Sequence, residues 1–374
     1  MKINRIVLSG GGTGGHIYPA LSVYRYLKEE NPDLECLYIG SEKGLEKNLV
    51  TDLNIPFKSV EIQGLRRSLS MENIKAIWLM LQSIQRSKKM IKEFKPDVIV
   101  GTGGYVCAPV LYAGAKLGIP TLIHEQNSIA GLTNKFLSRY VDIIAICFET
   151  AAKDFGKYKQ KIRLTGNPRA QEIVNIKKDS SILSKQFNLS DNKPTILIFG
   201  GSRGAPAINE AALQNIAKWS DKDYQIIIAT GQSHYDKFMN QLSEMNVEIG
   251  NNVVITPYIK NMPYVFQMID LVICRSGATT LTELLALGLP SILVPSPYVT
   301  ANHQEYNARA LVDNGAAEMI LEKDLTPQRL FDKIDEIIQD DHRLEFMAKQ
   351  NKQLAIVDAT SRIVNELENI KNLK

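Results

Sequence analysis

The sequence predicts an α/β protein made of two Rossmann-like, doubly wound parallel-sheet domains in tandem, facing each other across a cleft. Three observations carry this. Short, continuously apolar and β-branched runs alternate with helical patterns along the chain, as a parallel sheet covered on both faces requires. The order strand, glycine loop, helix opens the chain and restarts after Gly166-Asn167-Pro168. The length, 374 residues, exceeds what one hydrophobic core usually organises and suits two.

In the first half Ile6-Val7-Leu8 reads as a strand, glycines follow, and a helix runs from about residue 19 to residue 29. Cys36-Leu37-Tyr38-Ile39, Asp97-Val98-Ile99-Val100, Thr121-Leu122-Ile123 and Ile143-Ile144-Ala145-Ile146 are the next strands. The second half opens with Thr195-Ile196-Leu197-Ile198-Phe199, then glycines and a helix. Gln225-Ile226-Ile227-Ile228-Ala229, Val253-Val254-Ile255, Leu271-Val272-Ile273 and Ser291-Ile292-Leu293-Val294 follow. Pro168 and the preceding Gly-Asn punctuate the boundary, giving domains 1–165 and 166–342. Residues 171–193 read as polar and helical, and 343–374 as a helix with Leu354, Ile363, Val364 and Leu367 as apolar contacts.

Composition is that of a globular protein, 44% hydrophobic and 22% charged. The net charge of +4 comes without a basic arm or a nucleic-acid motif, so nucleic acid is excluded as a partner. Cys36, Cys107, Cys147 and Cys274 form neither a C-x-x-C pair nor a metal spacing and read as small buried hydrophobes in a reducing compartment. No apolar run nears the roughly 18 residues of a membrane span. The first apolar run ends at once in glycines, so it is a strand rather than a signal peptide. Membrane contact is then peripheral. Residues 65–90 suit it, with Leu65-Arg66-Arg67-Ser68-Leu69, an apolar series through Ile74, Ile77, Trp78 and Leu81, and Arg86, Lys88 and Lys89. A helix packed on the sheet with a solvated basic rim has the same pattern.

Ligands of doubly wound sheets bind beyond the carboxyl ends of the strands, where every glycine-rich stretch falls. Gly10-Gly11-Gly12-Thr13-Gly14-Gly15-His16 follows the first strand and opens a helix. Its glycines admit an anion close to the backbone, and the helix end supplies free N–H donors. A dinucleotide fingerprint would need an acidic residue closing the second strand. Here Gly40-Ser41 stands there and Glu42 comes late. Gly200-Gly201-Ser202-Arg203-Gly204 repeats the design. Gly101-Thr102-Gly103-Gly104-Tyr105 is either a tight turn or a ligand contact.

The stretch from Cys274 to Pro290 carries the most chemistry. Ser276 and Gly277 open a helix whose first turns hold Thr279, Thr280 and Thr282, while Leu281, Leu284 and Leu285 face inward. Gly288 and Pro290 end it. The amides of Ala278 and Thr279 suit a diphosphate. Glu283, about a turn in, either complements the helix dipole or accepts hydrogen bonds from the two hydroxyls of a ribose. The cluster Asn302-His303-Gln304-Glu305-Tyr306-Asn307 starts a further helix and suits a sugar's hydroxyls.

At these residues the chain resembles the MurG family, the peptidoglycan N-acetylglucosaminyltransferases that convert lipid I to lipid II. The matching stretches are residues 10–16, His124-Glu125-Gln126-Asn127, Gly166-Asn167-Pro168-Arg169, residues 200–204, and residues 274–290 with His303-Gln304. The resemblance implies a GT-B glycosyltransferase whose last helix crosses back to the first domain. It implies UDP-N-acetylglucosamine (UDP-GlcNAc) as donor and lipid I, undecaprenyl-diphospho-N-acetylmuramyl-pentapeptide, as acceptor. It further implies a peripheral place on the cytoplasmic face of the bacterial cell membrane, in cell-wall synthesis. Carried over by residue, Ser202 and Arg169 meet the donor, the backbone of Ile259 holds uracil, and Glu283 holds the ribose. Ala278, Thr279, Thr280, Leu281 and Thr282 line diphosphate and sugar. Gln304, with His303 as the alternative, reaches the sugar hydroxyls. Thr13, Gly14, Gly15 and Asn127 meet the sugar from the first domain, and Tyr105 meets the acceptor.

No Asp-x-Asp stands where a metal-bound nucleotide would need it, so the expectation is no cofactor and no essential metal. Helix dipoles, Ser202, Arg203 or Arg275 and the threonines then carry the leaving-group charge, in an inverting transfer through an oxocarbenium-like state. His16 is the leading candidate for the base, and it touches the acceptor. It also has the simpler reading of a helix cap. Glu125 competes for the same role, and His124 reads as orienting or buried. Other enzymes of this architecture, a UDP-GlcNAc 2-epimerase or a diacylglycerol sugar transferase, and a silent sugar-nucleotide sensor are the alternatives.

Overall fold

The computed structural model describes residues 2–42, 44–64, 71–201 and 204–373. It divides into two compact units, residues 1–172 with 356–374, and residues 173–355. The sequence boundaries at 165 and 342 lie seven and thirteen residues short of these.

The first unit holds a seven-stranded sheet, β1 (Arg5–Ser9), β2 (Glu35–Ser41), β3 (Phe57–Val60), β4 (Val98–Gly101), β5 (Thr121–Glu125), β6 (Ile143–Ile146) and β7 (Ile162–Leu164). The order is β3-β2-β1-β4-β5-β6-β7, and every pair is parallel. Alternation within each strand feeds two cores. Ile6, Leu8, Val98 and Val100 pack on one side with Ile17, Leu21 and the C-terminal Ile363 and Leu367. Val7, Ile99 and Ile123 pack on the other with Ile91, Val110 and Leu111. Burying both faces explains why these strands read as unbroken apolar runs.

The second unit holds β8 (Thr195–Phe199), β9 (Gln225–Ala229), β10 (Val253–Thr256), β11 (Leu271–Cys274), β12 (Ser291–Leu293) and β13 (Glu318–Met319). They are again all parallel, in the order β10-β9-β8-β11-β12-β13. Trp219, fully buried, anchors its core among Ile196, Ile198, Ile226 and Ile228. Both sheets are those the sequence predicts, with three strands added. β3, β7 and β13 are short edge strands, partly exposed, so no continuous apolar run marks them.

The first helix begins earlier than the sequence suggests. It spans Gly14–Glu30 with Pro19 inside it. Proline there forfeits only the hydrogen bond to the Gly15 carbonyl, and buried Ile17, Leu21 and Val23 hold the helix to the sheet. The tail forms two helices, Asp341–Leu354 in the second unit and Ala359–Leu373 in the first. The second of them packs Ile363, Val364 and Leu367 into the core around β1.

Each sheet reverses direction at a switch point, between β1 and β4 in the first unit and between β8 and β11 in the second. The glycine loops leave the carboxyl ends of these four strands, where such sheets hold ligands.

Candidate functional site

In the first unit the loops after β1 and β4 lock together. Gly11 N–H donates to the Gly103 carbonyl at 3.2 Å, and Thr102 Oγ1 donates to the His16 carbonyl at 2.6 Å. Gly103 (φ +114°) and Gly104 (φ +85°) take conformations closed to other residues. A Cβ on Gly103 would lie 2.5 Å from His16 Nδ1, and one on Gly104 2.4 Å from the Gly11 carbonyl oxygen. The third loop is thus a close-packed wall that seats His16. Tyr105, at its end, is 55% exposed.

Thr13 caps the helix Gly14–Glu30 with its backbone only; its side chain makes no capping bond. The amides of Gly14 and Gly15 lie in the first turn, which lacks helical acceptors. A carboxylate does reach this loop from an unexpected place. Glu46, fully buried, accepts from Ser41 N–H at 2.8 Å, from the Ser41 hydroxyl and from Gly12 N–H at 3.3 Å. It fills the space beside Gly11, where a Cβ would lie 2.4 Å from its Oε1. No spacing rule marks Glu46; only its place on a short helix after β2 does.

His16 Nδ1 lies 3.1 Å from the Thr102 carbonyl oxygen and 3.1 Å from Gln126 Oε1. Both neighbours are acceptors, so Nδ1 carries the proton and Nε2 keeps its lone pair. Glu125 is occupied differently. Its Oε1 accepts from the Asn127 backbone N–H (3.0 Å) and Nδ2 (3.2 Å), and its Oε2 from Gly131 N–H (2.9 Å) and Asn134 Nδ2 (2.8 Å). Buried and accepting four bonds, this carboxylate has no lone pair to spare for an acceptor hydroxyl. It braces the loop that presents Asn127. His124 is fully enclosed, and burial pushes its imidazole down to about 4, against a smaller rise from the Gly166 carbonyl. It is therefore neutral and internal. Arg169 pairs with Glu172 at 2.8 Å and lies 5.5 Å over the Tyr18 ring. Glu172 also takes Arg25 and the Ser22 hydroxyl, each at 2.5 Å. Arg169 is held in this cluster.

In the second unit Gly277 is the extended N-cap of the helix Ala278–Leu287. The amides of Ala278, Thr279 and Thr280 precede the first helical bond, from Leu281 N–H to the Gly277 carbonyl. Ser276 Oγ and Thr279 Oγ1 are buried without a hydrogen-bond partner among the described residues. Thr282 gives its hydroxyl to the Ala278 carbonyl at 2.9 Å. Leu281 is fully buried and packs inward, and Glu283 is largely buried on the same helix. Gly288 (φ +73°) ends the helix, and Leu289 N–H closes on the Leu284 carbonyl.

Arg275 is engaged elsewhere. It donates to the carbonyls of Val294 and Pro295 and pairs with Glu322, both side chains mostly buried. It braces the loop after β12. Gln304 Oε1 accepts from Ser296 N–H at 2.9 Å, and its Nε2 makes no hydrogen bond among the described residues. His303 turns Nδ1 to the Thr300 carbonyl at 2.9 Å. The side chain of Ile259 is buried, while its backbone groups make no hydrogen bond among the described residues. Ser202 and Arg203 lie outside the described residues, as do Arg66 and Arg67. Among the described residues no three His, Cys, Asp or Glu side chains gather as a metal site. Asp221-Lys222-Asp223 line a cavity of about 300 Å³ with Tyr224, at the amino end of β9 and remote from the glycine loops.

Comparison with known proteins agrees with this layout. Residues 6–146 match the N-terminal domain of glycosyltransferase family 28, and residues 195–363 its C-terminal domain. The chain is 51% identical over 366 residues to the UDP-N-acetylglucosamine--N-acetylmuramyl-(pentapeptide) pyrophosphoryl-undecaprenol N-acetylglucosamine transferase of Listeria monocytogenes, covering 98% of this chain and 99% of that one. It is 50% identical to the transferase of the same name from Bacillus pumilus, with the same coverage. MurG of Acinetobacter baumannii superposes with a TM-score of 0.76 at 28% identity, over 98% of this chain and 99% of that one. The UDP-GlcNAc 2-epimerase of Neisseria meningitidis reaches a TM-score of 0.70 at 15% identity, over 98% and 100%, and shares the fold alone. The chain therefore belongs to glycosyltransferase family 28, within its MurG family of N-acetylglucosaminyltransferases.

Proposed function

We propose that the chain transfers N-acetylglucosamine from UDP-GlcNAc to the C4 hydroxyl of the N-acetylmuramyl group of lipid I, giving lipid II and UDP. The observation that carries this reading is the full-length match to the Listeria transferase, whose name states both substrates. The geometry supports the assignment of roles. His16 Nε2, bare because Nδ1 is committed, takes the acceptor proton. The acceptor oxygen bonds to C1 of the sugar as the bond from C1 to the diphosphate breaks, and UDP departs. Attack opposite the leaving group inverts the anomeric carbon. Tyr105 contacts the acceptor, and Thr13, Gly14, Gly15 and Asn127 meet the sugar.

The diphosphate charge falls to the open helix end at Ala278, Thr279 and Thr280, and the family resemblance adds Ser202. Glu283 takes the ribose, the backbone of Ile259 the uracil, and Gln304 Nε2 the sugar hydroxyls. No divalent metal is required. Activity surviving exhaustive chelation supports this; activity lost on chelation and regained with one divalent ion overturns it.

No described helix is long and apolar enough to cross a membrane. The helix Met71–Phe94 buries Ala76, Leu79 and Ile91 against the first unit and exposes Ile74, Ile77, Trp78 and Leu81 by half or more. That spacing makes one apolar stripe, with Lys75, Arg86 and Lys89 exposed around it. We infer that this stripe rests on an anionic cytoplasmic membrane surface. Replacing Ile77 and Trp78 by serine lowers cosedimentation with phosphatidylglycerol vesicles and spares turnover of a soluble acceptor; unchanged cosedimentation overturns the docking.

A further inference from the structure

The motif His124-Glu125-Gln126-Asn127 puts an amide between two imidazoles. Gln126 is 2% exposed. Its Nε2 donates to the Thr102 carbonyl at 2.7 Å and faces His124 Nδ1 at 2.8 Å, while its Oε1 faces His16 Nδ1 at 3.1 Å. The amide has one workable orientation. Reversed, its oxygen would press on the Thr102 carbonyl and on a ring nitrogen that has no proton to give.

That orientation fixes His124 and, together with the Thr102 carbonyl 3.1 Å from His16 Nδ1, fixes His16. His124 Nδ1 must accept, so its proton sits on Nε2 and goes to the Gly166 carbonyl at 2.9 Å. His16 must donate from Nδ1. The chain of bonds thus runs from the Gly166 carbonyl through His124 and Gln126 to His16. Gly166 itself (φ +74°) packs against Ile356 and Ala359. It lies close to where the chain leaves the first unit, and those two residues mark where the chain returns.

We propose that Gln126 is a positioning residue, sharing with the Thr102 carbonyl the task of holding His16 in the tautomer with Nε2 bare, and that His124 anchors Gln126 to the Gly166 turn. The tautomer matters because imidazole in water favours the proton on Nε2, the form that cannot accept an acceptor's proton there. The inference rests on His16 acting as the base in the proposed transfer. It holds the amide accountable for the direction in which that base points.

Nitrogen-15 spectra of the histidine-labelled protein test it without reference to turnover, and five histidines are few enough to resolve. Wild type is expected to carry the His16 proton on Nδ1 and the His124 proton on Nε2. Gln126→Leu leaves the Thr102 carbonyl as the one acceptor facing Nδ1 and is expected to raise the share of His16 with its proton on Nε2. It should also lower kcat by about one to two orders of magnitude, as when an orienting partner of a working imidazole is removed, with KM for UDP-GlcNAc unchanged. Gln126→Glu keeps an acceptor for His16 but loses the amide donors. It is expected to hold the His16 proton on Nδ1 and to add a proton at His124 Nδ1 while Nε2 keeps its bond to the Gly166 carbonyl, and it serves if the leucine variant does not fold. A wild-type His16 proton on Nε2, or a Gln126→Leu protein with wild-type spectrum and kcat, overturns the proposal. If His16→Ala turns over normally while the spectra are as expected, the base assignment falls and the tautomer-setting role of Gln126 stands.

Discussion

Gly103→Ala is the sharpest single probe of the His16 seat. The added Cβ would stand 2.5 Å from His16 Nδ1 and 2.8 Å from Cε1. Comfortable carbon contact is about 3.5 Å, so the ring must retreat by about 1 Å. That breaks both of its 3.1 Å bonds, to Thr102 and Gln126. A displacement of that size costs about 100-fold in rate where geometry governs the step. The backbone adds its own penalty, since φ is +114° and a non-glycine residue there costs about 1–3 kcal/mol. For a domain of roughly 200 residues that is a fall in Tm of several degrees. Gly118→Ala is the matched control. Its φ is +75°, yet a Cβ there meets nothing within 4 Å, so it should carry the strain without the push. Coupled-enzyme detection of UDP release gives kcat, calorimetry gives UDP affinity, and scanning calorimetry gives Tm. The expected result is a kcat loss near 100-fold for Gly103→Ala alone, a melting loss for both variants that is larger in Gly103→Ala, and unaltered UDP affinity. A folded Gly103→Ala enzyme within threefold of wild type refutes the seat.

Three further outcomes follow from the packing. Arg275→Met strands Glu322 in a mostly buried site and should cost about 3–5 kcal/mol, while Arg275→Met with Glu322→Leu recovers most of it; thermal melts of both variants decide. Glu46→Gln sets an amide N–H against the donors Ser41 N–H or Gly12 N–H and should cost about 1–3 kcal/mol without changing UDP affinity, again by melting and calorimetry. His124, held down to about 4 by burial, binds its proton more readily unfolded, near the ordinary value of about 6.5. Its contribution to stability is therefore full above pH 6.5 and lost as pH falls from 6.5 to about 4, by roughly 3 kcal/mol. A carbon-bound proton shift of His124 that stays flat from pH 8 to 5 agrees; titration near 6.5 contradicts it.

Much of this was legible in the residues. Strands buried on both faces, such as Ile6-Val7-Leu8 and Ile226-Ile227-Ile228, announce themselves as unbroken apolar runs. The edge strand Phe57–Val60 does not, because half of it meets solvent. The start of the first helix was hidden by Gly14, Gly15 and Pro19, weak helix formers held in place by tertiary packing. The place of His16 at a helix start and the open helix end at Ala278 follow from position alone. The surroundings of Glu125 do not, because its donors Gly131 and Asn134 lie six and nine residues further on. Likewise the sequence does not show that Arg275 is paired with Glu322 and bonded to two carbonyls. Long-range partners of this kind leave no periodic trace.

The most direct measurement is incubation of the full chain with radiolabelled UDP-GlcNAc, with and without a soluble lipid I analogue. We expect UDP release only with the analogue, matched mole for mole by a β-linked disaccharide product. Conversion of UDP-GlcNAc to its C2 epimer without any acceptor, or binding of UDP-GlcNAc with no transfer, would contradict the assignment.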